Sequence, residues 1–143
     1  MMRMKLSVLT IGVLLAVMLL AGSAVAADMT MPGGVQARKS DAGPVVLADA
    51  KGMTLYTFDM DKTPGKSACN PDTKCSIYWP PLAAAADAKP AGAWTVVTRD
   101  DGSKQWAYKD KPLYTFANDK KAGDTTGNDM GPNGSHIWHC ALP

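Results

Sequence analysis

Apolar positions along this chain fall into short runs, separated by stretches dense in Asp, Lys, Gly and Pro. Pro44-Val45-Val46-Leu47-Ala48 is rich in β-branched residues and reads as a strand. Asp49-Ala50-Lys51-Gly52 is a turn signal, and Met53 to Phe58 returns as a second strand, which predicts a hairpin. Alternation puts Tyr56 and Phe58 on one face of that strand and Leu55 and Thr57 on the other. Trp94 to Arg99, Lys104 to Lys109, Leu113 to Phe116 and His136 to Cys140 read as further strands, with turns at Asp100-Asp101-Gly102-Ser103 and Asp110-Lys111-Pro112. Polar loops fill Asp59 to Lys74 and Asn118 to Ser135. Pro80 and Pro81 stop any regular element in Cys75–Leu82, where Trp79 is expected to be buried. Ala83-Ala84-Ala85-Ala86 favours helix but is too short to hold one alone. Residues 83–93 are therefore read as a linker with one helical turn at most.

The run Leu55-Tyr56-Thr57-Phe58 returns as Leu113-Tyr114-Thr115-Phe116, 58 positions later. Each copy is followed by x-x-Asp-Lys, so Asp61 and Lys62 match Asp119 and Lys120, Gly65 matches Gly123, and Trp79 matches Trp138 one residue out of step. A unit of two or three strands cannot bury its apolar face alone, so two such units should pack on each other. The expected fold is mainly β: a small antiparallel domain of two tandem repeats with pseudo-two-fold character and little helix. Repeat one is placed at 44–82 and repeat two at 94–143.

The first residues change the picture of the compartment. Arg3 and Lys5 precede an uncharged apolar run, Leu6 to Leu20, and Ala24 and Ala26 stand in an Ala-x-Ala arrangement. This is the pattern of a secretory signal peptide over residues 1–26, cleaved near Ala26. The apolar run is short for a membrane span of about 20 residues, and it ends without a Cys that could carry lipid. Residues 27–43, with Pro32, Gly33 and Gly34 and no apolar period, are read as a disordered leader. Arg3 and Lys5 account for the formal charge of +2. The remaining chain balances, without the basic stripe that a nucleic-acid partner requires. All 13 acidic residues are Asp, a bias toward turns and away from helix interiors.

Candidate chemistry is sparse. Cys69, Cys75 and Cys140 enter an oxidising compartment, where disulfides persist and an odd count leaves one thiol. Asn70-Pro71-Asp72-Thr73-Lys74 can turn Cys69 onto Cys75, and a disulfide there is the favoured reading, worth about 2–3 kcal/mol. Cys140 could instead bridge back to either of them. His136, His139 and Cys140 form the one cluster that could supply a metal or haem-iron ligand, with Met29 and Met31 as soft candidates. Strand alternation would put His136 and Cys140 on one face and His139 on the other, which favours a packed terminal strand. Asp59-Met60-Asp61 opens like a calcium loop but lacks the Gly at its sixth position and a Glu at its twelfth, so Asp61 and Asp119 are read as turn caps that bond backbone amides. Recurrence of Tyr56, Phe58, Tyr114 and Phe116 at strand spacing points to shared core rather than a ligand platform. Neither a nucleophile–base pair nor a phosphate loop is visible.

The duplicated Tyr-x-Phe-x-x-Asp, with Trp79-Pro80-Pro81-Leu82, Arg99-Asp100-Asp101-Gly102-Ser103-Lys104-Gln105 and Gly123-Asp124-Thr125-Thr126-Gly127, resembles the secreted-repeat family of bacterial lipoproteins of unknown function. The resemblance runs from about Pro44 to Trp138. It implies an exported β-repeat protein but no activity. The chain departs from the family in lacking the lipid-bearing Cys, in the wider spacing of Cys69 and Cys75, and in its His139-Cys140 ending. The leading reading is a non-catalytic structural, binding or interaction module of the bacterial periplasm or envelope, without a cofactor, whose partner would be an envelope component or another protein. The second is a periplasmic metal- or haem-binding or redox protein using His136, His139 and Cys140.

Overall fold

The computed structural model describes residues 31–143. The proposed signal segment and Met29 lie outside these residues. Seven short strands carry the fold: β1 (Gln36–Lys39), β2 (Val45–Ala48), β3 (Tyr56–Phe58), β4 (Trp94–Thr98), β5 (Lys104–Tyr108), β6 (Lys111–Pro112) and β7 (Trp138–Cys140). A single helical turn, α1 (Cys75–Tyr78), precedes Trp79. β1 pairs with β2, β3 with β7, and β4 with β5 and then β6, all antiparallel.

The two repeats meet along their aromatic strands. Tyr56 N donates to the Tyr114 carbonyl at 2.8 Å, and Tyr114 N donates to the Tyr56 carbonyl at 3.0 Å. This reciprocal pair marks the pseudo-two-fold axis. On its far side each aromatic strand is covered by the tryptophan segment of the other repeat. β3 of repeat one receives β7 of repeat two, in the register Tyr56–Cys140, Thr57–His139, Phe58–Trp138. The Leu113–Ala117 segment of repeat two receives Tyr78–Leu82 of repeat one, through Leu82 N to Leu113 O (2.8 Å), Thr115 N to Pro80 O (2.9 Å) and Ala117 N to Tyr78 O (2.8 Å). The halves therefore exchange strands rather than merely abut. The ladder is extended at equivalent points on each side, by Leu47 N to Ala141 O (2.8 Å) and Trp106 N to Leu82 O (2.9 Å).

Alternation along the central strands divides the interior in two, as the sequence predicts. Leu55 and Leu113 join Leu47, Trp94 and Trp106 in one cluster; Tyr56 and Tyr114 join Trp79, Phe116 and Trp138 in the other.

Several local expectations are corrected. Lys111–Pro112, read as part of a turn, forms β6, and the predicted strand Leu113–Phe116 keeps only bridges at Tyr114. Gln36–Lys39, inside the segment read as a disordered leader, forms β1. Its side chains are largely polar because only its backbone is needed, as the partner of β2, whose Val46, Leu47 and Ala48 are buried. The predicted strand over Met53–Phe58 shrinks to Tyr56–Phe58, with Thr54 joined to Ala48 by a lone bridge. The alanine run is extended rather than helical: Ala83 bridges Gln105, and Ala84 N donates to Lys104 O at 2.9 Å, because the β5 backbone is available to it. The helical turn falls instead at Cys75–Tyr78. Lys74 enters it from the left-handed region (φ 58°), and Trp79 N closes it on Cys75 O at 2.9 Å.

Gly127 marks how tightly this second cluster is filled. A Cβ at this position would lie 2.6 Å from Trp79 Cη2 and 3.1 Å from Phe116 Cδ1. Rings held on both faces cannot retreat, so Gly127→Ala is expected to destabilise the fold by about 1–3 kcal/mol in chemical denaturation. A loss below about 0.5 kcal/mol would show that the cluster is loosely packed.

Candidate functional site

The repeated motif builds one symmetric assembly at the axis. Phe58 stacks on Trp138 (4.1 Å between ring centroids, planes 14° apart), Trp138 on Trp79 (3.8 Å, 3°) and Trp79 on Phe116 (4.3 Å, 25°). The four rings form a continuous column with the pseudo-axis between the two tryptophans. Tyr56 meets Trp79 edge-on at 5.3 Å, and Tyr114 meets Trp138 the same way at 5.1 Å. Edge-to-face and offset-stacked contacts of this kind add about 0.5–1.5 kcal/mol per pair beyond burial.

The phenols cross the axis. Tyr56 Oη donates to Asp119 Oδ2 at 2.7 Å, and Tyr114 Oη donates to Asp61 Oδ2 at 2.7 Å. Each tyrosine is fully buried and finds its acceptor in the other repeat. The remaining oxygen of each carboxylate holds its own loop, as expected for a cap: Asp61 Oδ1 accepts from Ala68 N at 2.6 Å, and Asp119 Oδ1 accepts from Thr126 N at 3.0 Å and Thr126 Oγ1 at 2.5 Å. Burial, then the adjacent carboxylate, pushes both phenols well above the ordinary tyrosine range, so they remain donors. Burial also raises the Asp61 carboxyl, against the opposing pull of Ala68 N, Tyr114 and Arg99.

One contributor escaped the sequence reading. Arg99, only 5% exposed, donates from Nη1 to Gln105 Oε1 (2.7 Å) and Ser67 Oγ (2.9 Å) and from Nη2 to Cys69 O (2.6 Å). Ser67 Oγ in turn lies 2.7 Å from Tyr114 Oη, and Gln105 Nε2 donates to Leu113 O at 2.8 Å. An Arg ending an apolar strand reads as a solvent-facing terminus. The signal available was Gln105, on the next strand opposite Val97 and so diagonal to Arg99, a second polar residue on an inward position.

Cys69 and Cys75 are bonded as expected, with Cys140 the free thiol. The disulfide closes the loop whose carbonyl Arg99 grips. The structure does not gather His136, His139 and Cys140. His136 is exposed and precedes β7. His139 lies between two carboxylates, with Nε2 3.0 Å from Asp59 Oδ2 and Nδ1 3.4 Å from Asp129 Oδ1. Cys140 is half-buried beside Asp119 and Asp129; burial, then those carboxylates, pushes its thiol up to about 11. Met31 packs against the Leu47–Trp106 cluster. Among the described residues, no group of three or more His, Cys, Asp or Glu side chains is arranged to hold a metal ion. Two shallow grooves flank residues 139–142. One is bordered by Pro44, Val46, Thr125 and Asn128, the other by Thr57, Tyr108, Lys109 and Lys111.

A family model described as a secreted repeat of unknown function matches the chain twice, over residues 37–83 and 95–141. The chain belongs to this family. No curated protein and no solved structure matches it. In this secreted repeat the two matched segments are the two strand-exchanging halves, and the first begins within β1 rather than at Pro44. The description places the family outside the cytoplasm, in accord with the oxidised Cys69–Cys75 pair.

The partly buried Asp61 carboxyl gives a pH signature. Because Asp61 titrates higher folded than unfolded, the folded state binds the proton more tightly. Its contribution to stability is therefore present below the unfolded value near 3.8 and is lost as pH rises toward the raised folded value. Asp61→Asn removes this dependence. The stability gap between wild type and variant should narrow as pH rises from about 3 to 6, and a gap that widens would reverse the assignment. Tyr114→Phe, which leaves the Asp61 oxygen without its phenol, should cost about 1.5–3 kcal/mol at neutral pH.

The native secreted repeat should show one titratable thiol. At neutral pH Cys140 should carry about a hundredfold less thiolate than an ordinary cysteine and react correspondingly slowly with an alkylating reagent until the protein is unfolded. Fast labelling in the native state would contradict the buried placement, and three thiols would refute the disulfide.

Proposed function

We propose that the secreted repeat is an exported, non-catalytic β module of the bacterial periplasm or envelope, acting as a structural or binding element. The observation that supports this most directly is where the repeated polar groups go. Tyr56, Tyr114, Asp61 and Asp119 carry the motif's phenols and carboxylates, and all four spend their bonds on each other, on loop backbone and on the loop hydroxyls of Ser67 and Thr126. A motif duplicated for chemistry would leave such groups free in a cleft; here even Asp61, which borders a shallow groove with Lys62, Lys66 and Ser67, has both carboxylate oxygens already bonded. Surface that differs between the halves is what remains for recognition: the disulfide-closed loop, with Ile77 and Tyr78 exposed, and the grooves beside residues 139–142.

The reading includes cleavage near Ala26 and release into the periplasm, which the Arg3–Ala26 pattern supports. Expressed in full in a Gram-negative host, the protein should be recovered from the periplasmic fraction with a mature terminus at Ala27 by intact mass. Prepared this way it should carry no stoichiometric metal and no visible absorbance band. Its copper and zinc titrations should match those of a variant with His136, His139 and Cys140 replaced. Stoichiometric metal that disappears in the variant would overturn the non-catalytic reading in favour of a metal or redox protein.

A further inference from the structure

β4 is the uncovered edge of the three-stranded sheet. On its inner side Thr95 and Val97 stand opposite Ala107 and Gln105 of β5, and the same ladder continues as Lys109 N to Ala93 O (2.8 Å) and Arg99 N to Ser103 O (2.9 Å). Trp106, opposite Val96, sends its N–H to Leu82 O and receives Leu113 N on its carbonyl, both away from β4. Antiparallel alternation therefore aims the N–H and C=O of Val96 and Thr98 outward. Trp94 is already closed by its two 3.0 Å bonds with Ala91. Among the described residues, none supplies a backbone partner to Val96 or Thr98 on that outer side.

The equivalent edge in repeat one is β1, and it is guarded. Lys39 places an exposed charge on it, as proteins do to keep edge strands from pairing, while Arg38 turns its guanidinium in against Gly52. β4 reads Trp-Thr-Val-Val-Thr, with no charge, no proline and no bulge. Two edges related by the internal axis thus carry opposite instructions.

We propose that β4 is a pairing edge and that its occupant is β4 of a second copy of this chain, in an antiparallel, two-fold symmetric dimer. Hydrogen-bond parity fixes the register, since outward residues can meet only outward residues. With the axis at Val97, Val96 of each copy faces Thr98 of the other, and both pairs exchange N–H···O bonds, giving four in all. The strand is self-complementary in that register: it brings no like charges together and sets β-branched residues opposite one another. The inference goes beyond the function proposed above and stands on edge geometry alone.

Sedimentation velocity on the mature protein from about 1 µM to 1 mM tests it, since an edge contact of this size falls in that affinity range. The expected result is a mass rising from monomer toward dimer, with backbone amide exchange at Val96 and Thr98 slowing as concentration rises. Val96→Pro deletes an outward N–H, which an edge strand tolerates. It also changes a side chain that packs on the Leu47–Trp106 cluster, so a Val96→Ala control, which keeps the N–H, should associate like wild type. Val96→Pro should raise the dimer dissociation constant at least about tenfold, while the Thr95 and Val97 amides stay protected. Ala37→Pro, at the corresponding outward position of β1, should leave association unchanged. A monomer throughout the range would overturn the proposal, as would a dimer indifferent to Val96→Pro. So would a rising mass with no slowing at Val96 and Thr98, which would put the contact elsewhere. Protection of those amides that develops only with added cell extract would assign the edge to a foreign strand and defeat self-pairing.

Discussion

Everything else in this structure depends on two hydrogen bonds that cross the pseudo-axis. A phenol buried as completely as Tyr56 or Tyr114 must have an acceptor, because an unsatisfied hydroxyl in that position costs about 1–3 kcal/mol. Each repeat places its acceptor where only the other repeat's tyrosine reaches it. Neither half can therefore complete its own polar interior. Strand exchange serves the same constraint. With Tyr78–Leu82 lying against repeat two and β7 against repeat one, the tryptophans are carried to the axis, where they stack at 3.8 Å between the phenylalanines. The ring column and the phenol–carboxylate pairs hold one another in place, and a lone repeat would have neither.

Departures from the symmetry show how one requirement is met by different residues. Behind Asp119, the hydroxyl and amide of Thr126 supply the second oxygen, and Gly127 N reaches the Tyr56 oxygen at 3.3 Å. Behind Asp61 a single amide, Ala68 N, does so, and the loop is fixed from outside by Arg99 and the Cys69–Cys75 bond. Cys69 stands where repeat two has Gly127. The bare glycine lets the loop backbone lie against Trp79, whereas on the other side a sulfur fills the space and is tied down. The buried guanidinium is acceptable because every bond it makes is short and its charge lies near the Asp61 carboxylate.

Much of this was legible in the residues, and the limits have physical causes. The repeat, the β class, the burial of the aromatic strand, the capping by Asp61 and Asp119 and the Cys69–Cys75 bond follow from spacing and alternation. What spacing cannot convey is partner choice. Two copies of one phrase predict equivalent contacts, yet an Asp three residues after its own Phe reads as a local cap until the tyrosine of the other copy is seen to reach it. β1 was hidden because Gln36–Lys39 contributes backbone rather than apolar surface, and patterning methods see only side chains. The alanine run, expected to be a linker with one helical turn at most, has only a small intrinsic preference for helix, a few tenths of a kcal/mol per residue, and extended bonds to β5 outweigh it. Arg99 was missed because burial of a charge depends on partners from three separate segments.

Duplication also explains where individuality can reside. Residues the halves share are constrained twice, since a change at one position breaks both a local loop and a contact across the axis. The shared aromatic and leucine positions are consequently committed to folding and lie buried or half-buried, while the shared lysines, Lys62 and Lys120, stay exposed. Positions the halves do not share carry no such double constraint; some are buried, as Arg99, Gln105 and Cys69 are, and others lie at the periphery: the charge on β1 against its absence on β4, the closed loop with Ile77 and Tyr78, and His139 between Asp59 and Asp129. Of these, the edge difference has the clearest physical consequence. Unpaired backbone groups recur along a strand whatever its side chains, so guarding one edge and leaving its counterpart open converts an internal symmetry into a directed surface. A fold built by pairing strands across one two-fold axis thereby keeps the means to pair across a second.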